Sequence, residues 1–134
     1  MTNANANNEL VTSSLLQAGV VLGAINGEID LNNSPSLRGS LLAALRQWQP
    51  KKLVLNMSKV PYVDSSAIAV LVEVLKEIRR SGGRVFLFEL QPRVKGLLEI
   101  ARLDSIFVIA KDQAEEQRVL NEIDKRLAGS KFEF

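Results

Sequence analysis

The sequence predicts a single α/β domain built on parallel strands, and three observations carry that prediction. Short apolar, β-branched runs alternate with helical patterns from residue 19 onward, and such alternation implies parallel neighbours joined by right-handed helical crossovers. Each junction carries its own punctuation: Ser34-Pro35, Asp64-Ser65-Ser66, Ser81-Gly82-Gly83 and Gln91-Pro92. The 134 residues show no internal repeat and no linker, a length that suits one domain with an ordinary hydrophobic core.

Residues 1–11 are polar and Asn-rich and read as a tail, and residues 13–18 as a short edge strand. The β-branched run at residues 19–25 reads as a strand that Asn26-Gly27 ends. The phrase Glu28-Ile29-Asp30-Leu31 then leads to a helix start, with Ser34 expected as N-cap and Pro35 at the first helical position. Leu37, Leu41, Leu42, Leu45 and Trp48 follow at helical spacing up to Pro50, and Trp48 reads as partial core. The near-continuous apolar run at residues 52–57 suits an interior strand covered by helices.

A loop over residues 58–63 delivers the chain to Asp64-Ser65-Ser66, where the longest helical pattern begins. Its stripe is Ala67, Ile68, Leu71, Val74, Leu75 and Ile78, and it ends at Ser81-Gly82-Gly83, where glycine can take a left-handed cap. Residues 84–88 form the next strand. Pro92 opens a helix to about Ala101, with Val94, Leu97, Leu98 and Ala101 inward, and residues 106–109 give a last short strand. Lys111-Asp112 caps a final helix with Val119, Leu120, Ile123 and Leu127 as its stripe, and residues 129–134 read as a second tail. The expected domain is residues 12–128.

Composition excludes several function classes. Seventeen basic against 15 acidic residues leave a net charge of +2, and the basic residues are dispersed, so no nucleic-acid footprint is present. The chain has no Cys and no His, which removes thiolate and serine–histidine catalysis and the commoner zinc sites together. No apolar run reaches the roughly 18–20 residues that span a bilayer, and the first dozen residues lack a signal-peptide pattern. The expectation is a cytoplasmic protein without membrane insertion, metal or cofactor. No Walker-type or dinucleotide fingerprint occurs, and Gly27 and the Gly82-Gly83 pair read as turn residues.

The chemistry concentrates at Asp64, Ser65 and Ser66, where small hydroxyls sit at the positive end of a helix dipole beside a carboxylate. Two readings stay open on the residues alone. Asp64 or either serine can cap the helix. Alternatively Ser65 accepts a phosphate, which adds about −1.5 to −2 charges and reverses the local surface. A nucleophile elbow is excluded by the missing flanking glycines, and no lysine base lies near Ser65 in sequence, so the chain is not expected to be an enzyme. Glu28, Asp30 and Asp64 form a carboxylate cluster only if the loop after Ile25 lies beside Ser65, which spacing does not establish.

Three phrases carry a family resemblance: Gly27-Glu28-Ile29-Asp30 after an apolar strand, Val63-Asp64-Ser65-Ser66-Ala67 opening the long helix, and Gly82-Gly83 before another strand. From Val20 to about Ile109 the chain resembles the STAS domain, the sulfate transporter and anti-sigma-factor antagonist domain, and most of all the single-domain bacterial antagonists of anti-sigma factors. The resemblance implies a small, mixed but mainly parallel sheet with helices packed chiefly on one face. It implies that Ser65 is the phosphoacceptor, with Ser66 as second hydroxyl and Asp64 as the acid of the motif. Glu28 and Asp30 would share the phosphoserine face, completing a partner-binding surface of Glu28, Asp30, Asp64, Ser65 and Ser66. Ala67 departs from the glycine that often follows the two serines, and alanine preserves the helix start.

The partners so implied are an anti-sigma factor that is itself a GHKL-type serine kinase, and a PPM-type phosphatase. The unphosphorylated antagonist binds the kinase and frees the sigma factor; the phosphorylated form is released. A monomer or weak dimer is expected. The alternative is a STAS accessory subunit of an ABC-type lipid transporter, docking on its ATPase, in which Ser65 serves only as a cap. A nucleotide-binding or hydrolytic activity stands behind both.

Overall fold

A hairpin starts the fold. The computed structural model describes residues 9–17 and 19–123, in which β1 (Val11–Gln17) pairs antiparallel with β2 (Val20–Asn26). Three parallel strands follow, β3 (Lys52–Lys59), β4 (Arg84–Phe88) and β5 (Val108–Ile109), and the sheet order is β1-β2-β3-β4-β5. Each parallel strand adds beside the one before it, so three right-handed crossovers must lay their helices on the same face. These are α1 (Ser34–Trp48), α2 (Ser65–Arg79) and α3 (Pro92–Ile100).

The period-two alternation of the strands divides the core in the same way. Val21, Leu53, Leu55, Val85 and Leu87 point to the three-helix side, where they pack with Leu37, Leu41, Leu71, Val74, Val94 and Leu98. Leu22, Val54, Phe86 and Phe88 point to the other side, where α4 (Gln113–Ile123) brings Leu120 against them. The mixed sheet with helices chiefly on one face is therefore the expected architecture.

Several boundaries differ, each for a local reason. α1 starts one residue early, with Asn33 rather than Ser34 in the N-cap position, because the Asn33 side chain is engaged in the preceding loop. β1 already includes Val11. In α2 Val70 joins the buried stripe while Ile68 is only half-buried. α3 ends at Ile100 and leaves Ala101 exposed, since Arg102 turns into the left-handed region (φ 59°) and the Leu103 N–H closes onto the Leu98 carbonyl. β5 is only Val108–Ile109, paired in parallel with Phe86 and Leu87; residues 106 and 107 do not join the ladder, and Phe107 instead drops into the core from a bend. Leu127, the Ile123 side chain and residues 129–134 lie outside what is described, as do residues 1–8.

Gly82 and Gly83 divide two tasks at the end of α2. The Gly83 N–H meets the Ile78 carbonyl and the Gly82 N–H the Arg79 carbonyl, a Schellman ending with Gly82 at φ +80°. A Cβ at Gly83 would stand 2.5 Å from the Ile78 side chain and 2.8 Å from the Lys51 carbonyl oxygen, so this position has no room for one.

Candidate functional site

The strands β2 and β3 deliver their chain to the same edge of the sheet, the carboxyl end, where open α/β sheets form their sites. The two loops that leave this edge are stitched together. The Gly27 N–H donates to the Lys59 carbonyl (2.9 Å), the Ile29 N–H to the Tyr62 carbonyl (3.0 Å) and the Asp64 N–H to the Ile29 carbonyl (3.1 Å). Ile29 and Val63 form a parallel bridge, and both side chains are fully buried, so the pairing is anchored from beneath. The loop after Ile25 thus does lie beside Ser65, a proximity that only long-range pairing creates.

The first loop is held by its own polar side chains. Asp30 Oδ1 accepts from the backbone N–H of Asn32 (2.9 Å) and Asn33 (3.3 Å), an Asx turn. Asn33 answers with both ends of its amide: Oδ1 accepts from the Asp30 N–H (2.8 Å) and Nδ2 donates to the Glu28 carbonyl (3.0 Å). Ile29 is drawn inward, while the Glu28 side chain is exposed and Leu31 is turned out to 74% exposure.

The second loop ends in the α2 cap, and here the structure decides which residue does the capping. Asp64 is extended (φ −100°, ψ −175°), and its Oδ1 accepts from the N–H of Ser66 (2.9 Å) and Ala67 (3.2 Å). The Ser66 hydroxyl donates to the same oxygen at 2.6 Å. That hydroxyl, helped by the amides of Ala67, Ser66 and Leu31, holds the Asp64 carboxyl below its usual range against the opposing effect of desolvation. Asp64 is therefore an anion at neutral pH. Ser65, the first residue of α2, is exposed, and its hydroxyl makes no hydrogen bond to any described residue.

The five residues expected at this surface are thus brought to one edge but divided by role. Asp64 and Ser66 build the helix start and Asp30 builds the loop, all three half-buried; Glu28 and Ser65 face solvent. Among the described residues no three carboxylates come together into a group that could hold a metal ion. At the margin, the Arg93 guanidinium lies 4.5 Å from the centroid of the Tyr62 ring. Sequence reading missed Leu31 and Asn33. Asp30 followed by Asn32-Asn33 is the Asx-turn signal that could have found them, since such a turn carries the chain outward at Leu31.

The STAS domain family model matches residues 15–116. BtrV of Bordetella bronchiseptica, named a candidate anti-sigma factor antagonist, is 27% identical over 95 residues, which cover 71% of this chain and 81% of BtrV. The anti-sigma-B factor antagonist of Bacillus subtilis is 33% identical over 94 residues, covering 69% and 84%. YvdB of Bacillus subtilis, named a candidate sulfate transporter, is 40% identical over 79 residues, and the matched part is 15% of YvdB. Among solved structures, a candidate anti-sigma factor antagonist of Thermotoga maritima superposes with a TM-score of 0.74 at 24% identity, covering 84% of this chain and 96% of the other. The Bacillus cell fate determinant SpoIIAA in its phosphorylated form superposes with a TM-score of 0.62 at 18% identity, covering 81% and 98%. The two superpositions bear on the fold alone.

Proposed function

The chain belongs to the STAS domain family, with the single-domain bacterial anti-sigma-factor antagonists, and from that premise we propose that it is an interaction switch operated at Ser65. In its unphosphorylated form it binds an anti-sigma factor that is also a GHKL-type serine kinase, and so frees the sigma factor. Phosphorylation of Ser65 by that kinase ends the binding, and a PPM-type phosphatase restores it.

The observation that carries the reading is the division of labour at the start of α2. Asp64 caps and Ser66 orients the cap, which leaves the Ser65 hydroxyl exposed and without a partner among the described residues. A phosphate there breaks no native hydrogen bond, and the helix N-terminus favours its charge. It nevertheless places about −1.5 to −2 charges beside the Asp64 anion. A partner that covers this surface would have to strip water from that group of charges, at a cost that exposure to solvent avoids. The switch therefore acts on the interface and leaves the fold in place.

The reading is one of binding rather than catalysis. The sequence has no histidine, and no described side chain hydrogen-bonds Ser65 Oγ to take its proton. Among the described residues no helix is long and apolar enough to cross a membrane, and we place the switch in the cytoplasm with its proposed partners.

The likeness to a segment of YvdB favours a transporter-linked role as the second reading; the form of it that the family resemblance implies is an accessory subunit docked on the ATPase of an ABC-type lipid transporter. Phosphopeptide mapping of the protein from its own host, with and without phosphatase treatment, separates the two. The switch predicts a phosphatase-sensitive phosphate on Ser65, firm kinase binding by Ser65→Ala and poor binding by Ser65→Asp. A chain that stays unmodified through growth and stress, and copurifies with a transporter ATPase as wild type and Ser65→Ala alike, would replace the switch by the second reading.

A further inference from the structure

We propose that Leu31 is the apolar anchor of the interface that Ser65 controls, and that it enters an apolar pocket rimmed by basic side chains on the anti-sigma partner. The inference rests on the partner-binding reading above and adds the residue and the kind of partner surface that the binding requires.

Three large apolar side chains are well exposed among the described residues: Leu15 at 44%, Leu31 at 74% and Ile100 at 82%. A single exposed apolar residue is ordinary on a protein surface. Ile100 fits that pattern, since it ends α3 between exposed Glu99 and Ala101. Leu15 lies on β1, the edge strand of the sheet.

Leu31 is different because the chain around it is immobilised while the side chain is left out. Asp30 holds the amides of Asn32 and Asn33, Asn33 holds the Asp30 amide and the Glu28 carbonyl, and the Ser34 N–H closes onto the Asp30 carbonyl at 2.8 Å. The Asp64 N–H donates to the Ile29 carbonyl, which ties the loop two residues before Leu31 directly to the cap beneath Ser65. Ile29, two residues earlier, is fully buried and bonded to the second loop. The backbone order that an interface would otherwise impose on this loop is already present in the free protein. Preorganised apolar side chains of this kind give binding energy with little ordering cost.

The charges around Leu31 define the complement. Glu28 is exposed, Asp30 and Asp64 are half-exposed, and Asp64 is held ionised. The basic groups at the margin are Lys59, whose carbonyl accepts from the Gly27 N–H, and Arg93, which is occupied over the Tyr62 ring. An apolar side chain on a loop edge that also carries these carboxylates fits a hydrophobic pocket with lysines or arginines on its rim. The same rim would meet the Ser65 hydroxyl, so the anchor and the switch belong to one contact.

The test is calorimetric titration of the purified GHKL-type serine kinase of the host with wild-type protein, Leu31→Ala and Ile100→Ala, at low and high salt. Leu31→Ala should weaken binding by about tenfold or more, Ile100→Ala by less than about twofold, and all three proteins should bind more weakly at high salt. Leu31 contributes little to the core, so its alanine variant should keep the wild-type melting temperature. Wild-type binding with Leu31→Ala within about twofold of it overturns the anchor and leaves the switch standing. The same holds if Leu31→Ala only dissolves a dimer of the antagonist and binds the kinase as before. A kinase that does not bind even the wild type overturns both.

Discussion

Asp64 shows how one carboxylate settles what three adjacent residues do. Asp64, Ser65 and Ser66 are all competent caps by residue type, and the sequence leaves the choice among them open. The choice is made by the backbone, which is extended at Asp64 and helical from Ser65 on, so that only the Asp64 oxygen faces the free amides. Asp64→Ala should therefore lower the melting temperature by roughly 3–6 °C at neutral pH, as loss of an N-cap does, and thermal melts of the two proteins measure it. The Asp64 carboxyl lies below its usual value near 3.8 in the folded chain, so its contribution is present above that value and fades as pH falls through the lower folded one. The difference between wild type and variant should shrink on acidification. Leu31 is the counterpart that residue-level reading could not place, because its exposure follows from the Asx turn at Asp30 rather than from its own chemistry.

Among the elements, α2 and α4 are held in different ways. The end of α2 depends on space: the Lys51 carbonyl of the neighbouring strand entry stands where a Gly83 side chain would be, and backbone yields poorly. Gly83→Ala should destabilise the protein by about 1–3 kcal/mol in chemical denaturation. α4, the one described helix over the second face of the sheet, depends on Leu120 and on a charge arrangement one turn earlier. Glu116 packs against Glu89 at the end of β4, and burial first, then the Glu89 carboxylate and Asp112, push the Glu116 carboxyl up to about 8. Lys95 and Lys111 line the same recess of about 510 Å³. An acid whose folded value is raised stabilises fully below its unfolded value near 4.5, and that contribution is lost as pH rises through about 8. Wild type should thus lose protection of the α4 amides between pH 5 and 9, read by hydrogen exchange corrected for intrinsic rates, while Glu116→Gln keeps it. This interaction was not visible in the sequence, since Glu89 and Glu116 meet only through a left-handed turn at a non-glycine residue.

At the scale of the molecule, consecutive strand order explains both the fold and the site. Helices cross on one face because each parallel strand adds beside the last, and the loops after β2 and β3 are neighbours for the same reason. Strand and helix alternation, and the motif at Asp64-Ser65-Ser66, were legible because they are local patterns of apolar period and capping chemistry. The pairing of residues 27–29 with 59–64 and the covering of the second face were not, because they depend on contacts between segments more than 20 residues apart in the chain. The central claim is that a phosphate on Ser65 breaks the interface without disturbing the fold. The most direct test measures the affinity of the host kinase for the unphosphorylated protein, for the Ser65-phosphorylated protein and for the latter after phosphatase treatment, with a melting curve of each. Binding about a hundredfold weaker for the phosphorylated form, restored by the phosphatase, with the fold intact throughout, is the predicted result. Equal affinity of the phosphorylated and unphosphorylated proteins would contradict it.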